Sequence, residues 1–84
     1  IMTITIQSTG ATLIGAKNPA WGNKEKTLIC LECKFSHYAS IGLTENDGYY
    51  LFVANPDDPE LHGRQIYANA VKGDYGSIDA YTGD

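Results

Sequence analysis

The segment Thr27–Phe35, with the sequence TLICLECKF, constrains the fold of this chain more than any other part of it. It is mostly apolar, contains no glycine or proline, and alternates between a more apolar and a more polar face. The more apolar face consists of Ile29, Leu31, Cys33 and Phe35. We therefore predict a strand whose apolar face lies on the core and whose opposite face carries Cys30 and Glu32.

The neighbouring segments predict further strands of the same sheet. Met2–Gln7 alternates threonine with isoleucine and Ala11–Ala16 is a second apolar run, so together they predict a hairpin with Gly10 in its turn. Tyr49–Ala54 consists of aromatic, aliphatic and β-branched side chains and predicts a central strand. Lys17–Lys26 contains proline, glycine and two asparagines, which is typical of a loop.

A helix start is indicated by the run NPDDPE that follows the last of these strands. Asp58 is placed to accept the first free amide hydrogens as N-cap, and Pro59 suits the first helical position. We predict a helix over about 59–72, with Gly73 as its C-terminal stop. Its apolar stripe would consist of Leu61, Ile66, Ala70 and Val71. Gly63 costs ~1 kcal/mol relative to alanine inside a helix, which indicates that another part of the chain approaches closely there.

These elements predict a single small α+β domain over residues 1–84. We expect a mainly antiparallel sheet of four or five strands, with the helix at about 59–72 packed on one face. Ser77–Tyr81 would add a final short strand or an extended tail. A chain of 84 residues buries only about 60% of the surface that its unfolded form exposes. One small core, supported by a partner or by self-association, is therefore expected.

The pair Cys30 and Cys33 raises the question of a metal site. With His37 it gives the spacing C-x2-C-x3-H, and His62 could be a distant fourth ligand. Zinc knuckles place their CxxC in a tight turn, and redox pairs place theirs at a helix N-terminus. Here the pair lies inside a predicted strand, so we predict two free thiols, with Cys33 the more buried. A small zinc-stabilised domain that uses all four residues is the alternative.

No catalytic grouping is visible in the sequence. The two histidines lie in different segments, without a nucleophile motif beside either. Asp57, Asp58 and Glu60 lie at the N-terminus of the predicted helix, where the helix dipole favours negative charge. Their presence therefore needs no catalytic or metal-binding role. We therefore expect a non-enzymatic protein without a cofactor.

Charge is distributed unevenly along the chain, whose net charge is −4. Residues 1–44 carry four lysines against two glutamates, whereas residues 45–84 carry eight acidic residues against one arginine and one lysine. Affinity for nucleic acid depends mainly on lysine and arginine contacts to phosphates, so direct nucleic-acid binding is not expected. A second alternative follows from the acidic half, which could mimic nucleic acid and inhibit a host protein.

Neither a membrane span nor an export signal is visible. No apolar run approaches the ~20 residues that a transmembrane helix needs, and the N-terminal residues lack a basic region and a cleavage site. Together with two cysteines this indicates a reducing compartment, and we expect no contact with a membrane.

Aromatic side chains are numerous for so small a chain, with six tyrosines, two phenylalanines and one tryptophan. Tyrosine and tryptophan are enriched where one end of a side chain is buried and the other is wet, as at protein–protein interfaces. Hot spots of such interfaces favour tryptophan, tyrosine and arginine. The candidate interaction residues are Trp21, Arg64, Tyr67 and Tyr75.

Residues 55–78 have the sequence NPDDPELHGRQIYANAVKGDYGSI, which combines an acidic cap, a Gly-Arg pair, an apolar helix and a Gly-acid-aromatic-Gly run. This segment resembles a stretch of small proteins encoded among bacteriophage tail genes. The resemblance implies a virion-associated or tail-fibre accessory protein with a binding role, located in the cytoplasm of a bacterial host or in a virion. The sequence thus predicts a phage or mobile-element protein that binds another protein, or a second copy of itself, through a tyrosine-rich surface.

Overall fold

The computed structural model describes residues 4–36 and 48–83. Within them the chain forms β1 (Leu13–Trp21), β2 (Ile29–Phe35), β3 (Tyr50–Ala54) and α1 (Leu61–Val71), in that order. The strands make one antiparallel sheet with β2 in the middle. The α+β class is therefore confirmed, whereas the described residues hold three strands of sheet and do not confirm four or five.

Strand β2 follows the alternation that the sequence predicts. Its apolar face is buried at every position, and Cys30 on the other face is only half-buried. The remaining members of the core are Ile4, Ala11, Ala54, Ile66 and Ala70. The central strand therefore supplies four of the nine buried apolar residues in the described part of the chain, and Cys33 is the more buried thiol, as predicted.

The first half of the predicted loop at 17–26 is part of β1, so that prediction is wrong there. Lys17 pairs with Glu32 and Ala20 with Cys30, and the register shifts between these two pairs. The shift accommodates Asn18, whose φ is 55°, and the proline that follows it. An irregularity of this kind lets a strand continue through turn-forming residues when its neighbour offers a full row of partners.

Helix α1 covers the apolar face of the sheet. Its buried residues are Gly63, Ile66 and Ala70. On the same side, the ring of His62 stands edge-on to Phe35 at 6.2 Å and lies 5.9 Å from the ring of Phe52. Leu61 and Val71 were also expected in this stripe, but both are exposed. They are the first and last residues of the helix, and the small core buries only residues nearer the middle of the helix.

The helix begins two residues later than predicted. Glu60, with extended φ and ψ, occupies the N-cap position and makes no side-chain cap. The carboxylate of Asp58 instead accepts a hydrogen bond of 2.8 Å from the Glu60 backbone N–H. It also fills the space where a Cβ on Gly63 would stand. The close approach predicted at Gly63 is thus made by the segment that leads into the helix.

The C-terminal end of α1 matches its prediction. Gly73 has a φ of 90°, and its N–H donates to the Ala70 carbonyl at 3.0 Å. The next N–H, from Asp74, reaches back to the Asn69 carbonyl at 3.0 Å. These two bonds are the Schellman arrangement that ends a helix at a residue in the left-handed conformation.

Two isolated bridges extend the sheet beyond its strands. Thr5 pairs antiparallel with Thr12, and the Ile6 N–H donates to the Ala11 carbonyl at 2.8 Å, which confirms a tight return of the chain at the predicted hairpin. At the far end of β1, Asp79 pairs with Ala20 in parallel. In the described part of the chain no helix has the length and apolar character of a membrane span.

Candidate functional site

A cleft of about 180 Å³ lies where the end of β1, the β1–β2 loop and the C-terminal segment meet. Its walls are Trp21, Asn23, Lys24, Lys26, Ile78, Ala80 and Tyr81. We call it the aromatic cleft. Three separate parts of the chain build it, and each is fixed by contacts of its own.

Trp21 anchors the cleft to the helix. It is the last residue of β1, and its ring lies 6.4 Å from that of Tyr67 at an interplanar angle of 65°, an edge-to-face contact. The hydroxyl of Tyr67 donates to the Lys26 carbonyl at 3.1 Å. Tyr67 therefore supports both the indole ring and the loop from behind the cleft.

The β1–β2 loop is ordered by one asparagine. Asn23 Oδ1 accepts hydrogen bonds from the backbone N–H groups of Thr27 at 2.9 Å and Leu28 at 3.2 Å. Its Nδ2 donates to the Thr27 hydroxyl at 2.6 Å. Lys26 has a φ of 61°, which is unusual for a residue with a side chain, and its carbonyl is the acceptor for Tyr67. Hydrogen bonds from Asn23 and Tyr67 thus hold the loop in the conformation that lines the cleft.

The C-terminal segment forms the other wall. Its position is fixed by two backbone hydrogen bonds of 2.9 Å, from Trp21 N–H to the Asp79 carbonyl and from Asp79 N–H to the Pro19 carbonyl. Ile78 packs against the core, while Tyr81 at the rim keeps 38% of its surface exposed. This wall is therefore apolar at its base and open at its edge.

The charge of the cleft differs from that of the whole chain. Lys24 and Lys26 both line it, and the described residues that line it include no aspartate or glutamate. The ammonium of Lys26 lies 5.9 Å from the centre of the Trp21 ring, within reach of a cation–π interaction. The described lining of the cleft is therefore basic and aromatic, while Glu25 and Asp79 lie beside it in the sequence and the chain has a net charge of −4.

The candidate interaction residues of the sequence analysis divide into two groups. Trp21 and Tyr67 come together at the cleft. Arg64 is exposed on α1 and donates through Nη1 to the Asp58 carbonyl at 2.6 Å. Tyr75 packs against the core, where Asn69 Nδ2 donates to its hydroxyl at 3.3 Å, and burial is the main cause that raises its pKa. Neither of the latter two lines the cleft.

The cysteines lie on opposite faces of β2. Cys33 points into the core, where burial raises the pKa of its thiol to about 12, and Cys30 points to the other face. No group of three or more metal-binding side chains occurs among residues 4–36 and 48–83. His37, the third residue of the zinc alternative, lies outside the described residues, and His62 packs against Phe35 and Phe52.

The face of the sheet opposite α1 carries a second surface of interest. Leu51 is 68% exposed and Val53 45% exposed. Beside them the ammonium of Lys17 lies 4.3 Å from the centre of the Tyr49 ring. We call this the outer sheet face.

Several cleft residues could not have been found by reading the sequence. Lys24 and Lys26 belong to a stretch with loop character, and nothing in their spacing marks a ligand. Ile78 and Tyr81 reach the cleft only because Asp79 pairs with Ala20, which is far away in the sequence. The surplus of aromatic residues was the single usable signal, and Trp21, one of the candidate interaction residues that it gave, lines the cleft.

Comparison of the chain with protein-family models, with curated proteins and with solved structures finds no match.

Proposed function

We propose that this chain is a non-enzymatic protein-interaction module that docks a partner protein at the aromatic cleft. The observation that carries the proposal is the cleft itself, with Trp21 and Tyr81 on walls from different parts of the chain. Its volume of about 180 Å³ is below the ~300–1,000 Å³ typical of sites for small molecules. A cleft of this size suits a single side chain of another protein.

The energetics of such a contact favour the same residues. Tryptophan and tyrosine dominate binding hot spots because they bury a large rigid surface at a small cost in entropy. Trp21 is held by Tyr67, and the loop by Asn23, so little ordering remains to be done when a partner binds. Arg64 and Tyr75 lie outside the cleft and would contribute only at the edge of a larger interface.

The biological setting that we propose is a bacteriophage or mobile element, with the chain acting as a virion or tail accessory in a bacterial host. This part of the proposal is supported by the resemblance of residues 55–78 to proteins encoded among tail genes. It is compatible with a binding role at the cleft, since α1 within that segment supplies Tyr67.

Self-association is the second mode of binding that we propose, and the outer sheet face favours it. Leu51 and Val53 project from β3, which is an edge strand of the described sheet. Exposed apolar strands at a sheet edge tend to pair with other chains. Sedimentation of the pure protein should give a mass above that of one chain, and Leu51→Ser should return it to the monomer.

The test of docking is capture of partners from the host by the tagged chain and its variants. Tyr81→Ala and Trp21→Phe remove contact surface from the cleft, and Val71→Ala removes an exposed apolar residue of α1 as the matched control. We expect the captured proteins to be lost with the two cleft variants and retained with the control. Capture that is the same for all three would contradict the proposal.

A further inference from the structure

We infer that the segment docked in the aromatic cleft is an acidic, extended peptide that inserts one apolar side chain between flanking carboxylates. This inference rests on the proposed function, because it names the partner class of the same cleft.

The apolar part of the ligand follows from the base of the cleft. Trp21, Ile78 and Ala80 offer aromatic and aliphatic surface, and the volume of about 180 Å³ has room for one side chain of leucine or methionine size. Burial of such a side chain removes its apolar surface from water and thereby favours binding. A polar side chain in the same place would lose its water without gaining a partner.

The acidic part follows from the rim. Lys24 and Lys26 stand on one loop, and the described lining of the cleft contains no carboxylate, since Glu25 between them is not part of it. The Lys26 carbonyl accepts a hydrogen bond from Tyr67, and its ammonium lies 5.9 Å from the centre of the Trp21 ring. Carboxylates of a ligand would meet two cations beside an apolar base, where ion pairs are less screened than on open surface.

We assign the peptide an extended form because a strand spaces its side chains regularly on one face. In an extended peptide, residues i, i+2 and i+4 share one face, about 6.6–7 Å apart in succession. An apolar residue with acidic residues two places before and after it can therefore direct all three side chains at the cleft. The sequence pattern acidic-x-apolar-x-acidic is the simplest segment that fits.

Single-stranded nucleic acid also combines negative charge with surfaces that stack on aromatic rings. Two cations occur among the described residues that line the cleft, on a chain whose net charge is −4. Affinity for nucleic acid grows with the number of phosphates neutralised, so two lysines on an acidic chain favour a peptide. A short oligonucleotide belongs in the test as the competing ligand.

The experiment uses Trp21, the sole tryptophan of the chain, as a fluorescent reporter in the wall of the cleft. The probes are the blocked peptides Glu-Ser-Leu-Ser-Glu, Gln-Ser-Leu-Ser-Gln and Glu-Ser-Ser-Ser-Glu, together with an eight-nucleotide oligothymidine. We expect the first peptide to shift the emission saturably and to bind about tenfold more tightly than either of the other two peptides. Its affinity should fall as salt is raised.

The matched variants are the double substitution of Lys24→Gln with Lys26→Gln, and Lys72→Gln, which alters the exposed lysine that pairs with Asp74. The double variant should bind the acidic peptide about tenfold more weakly, and Lys72→Gln should bind it as the parent does. Equal binding of the three peptides, an unchanged double variant or tighter binding of the oligonucleotide would overturn the inference. If the parent protein does not bind the acidic peptide but still captures a partner through Trp21 and Tyr81, only the inference is refuted. If the Trp21→Phe and Tyr81→Ala variants capture the same proteins as the parent, the proposed function is refuted.

Discussion

At the scale of single residues, two cysteines three positions apart experience opposite environments. Cys33 is fully buried among apolar side chains, and the loss of water around it raises the pKa of its thiol to about 12. Cys30 lies on the other face of the same strand and is partly open to water. Since the thiolate is the reactive form of cysteine, the two should differ strongly in chemistry.

Thiol labelling tests this difference directly. With a disulfide-exchange reagent at pH 8, we expect one thiol per chain to react quickly and the other only as fast as the protein unfolds. Cys30→Ser should remove the fast phase and leave the slow one. Two fast thiols in the parent would show that the face of β2 carrying Cys33 is not packed.

Gly63 gives a second prediction at this scale. Replacing glycine by alanine inside a helix normally stabilises it by ~1 kcal/mol. Here the new methyl group would meet the carboxylate of Asp58, which is held by the Glu60 N–H, so Gly63→Ala should destabilise the fold by about 1–3 kcal/mol. When Asp58 is also replaced by alanine, the loss of stability caused by Gly63→Ala should be smaller. Urea melts of the parent, the two single variants and the double variant measure this difference. Equal costs in both backgrounds would contradict the contact.

At the scale of elements, α1 packs through its middle and leaves its two ends exposed. Ile66 has no exposed surface, whereas Val71 is 53% exposed. Ile66→Ala should therefore cost about 2–5 kcal/mol, and Val71→Ala less than about 1 kcal/mol. Thermal or urea melts compare the two variants, and a similar loss from both would mean that the helix packs on another face.

How far the sequence could predict these elements depends on where their determinants lie. The alternation of β2 and the glycine after α1 are local signals, and both were interpreted correctly. Strand β1 runs through Asn18 and Pro19 because β2 offers it partners, which no local pattern reveals. The helix begins later than predicted because Asp58 accepts a hydrogen bond from the N–H of Glu60 instead of capping the helix.

The cleft was not predictable as a unit, since its walls meet only through the pairing of Ala20 with Asp79.

At the scale of the whole molecule, one small sheet presents two different surfaces. Helix α1 covers one face and buttresses the aromatic cleft through Tyr67, while the outer sheet face leaves Leu51 and Val53 in contact with water. The acidic residues are concentrated in the second half of the sequence, and the cleft is lined by lysines. Binding at the cleft and self-association at the sheet would therefore use separate surfaces. A substitution at one surface should abolish its interaction and leave the other intact.

Photo-crosslinking in the cells that produce the protein can detect the proposed docking of a partner protein at the aromatic cleft. A benzophenone amino acid would replace Tyr81 at the rim of the cleft or, as the control, Val71 on α1. We expect a covalent adduct of defined mass from position 81, which is absent from position 71 and is lost when Trp21→Phe is added. No adduct from position 81, or the same adduct from both positions, would show that no partner docks at the cleft.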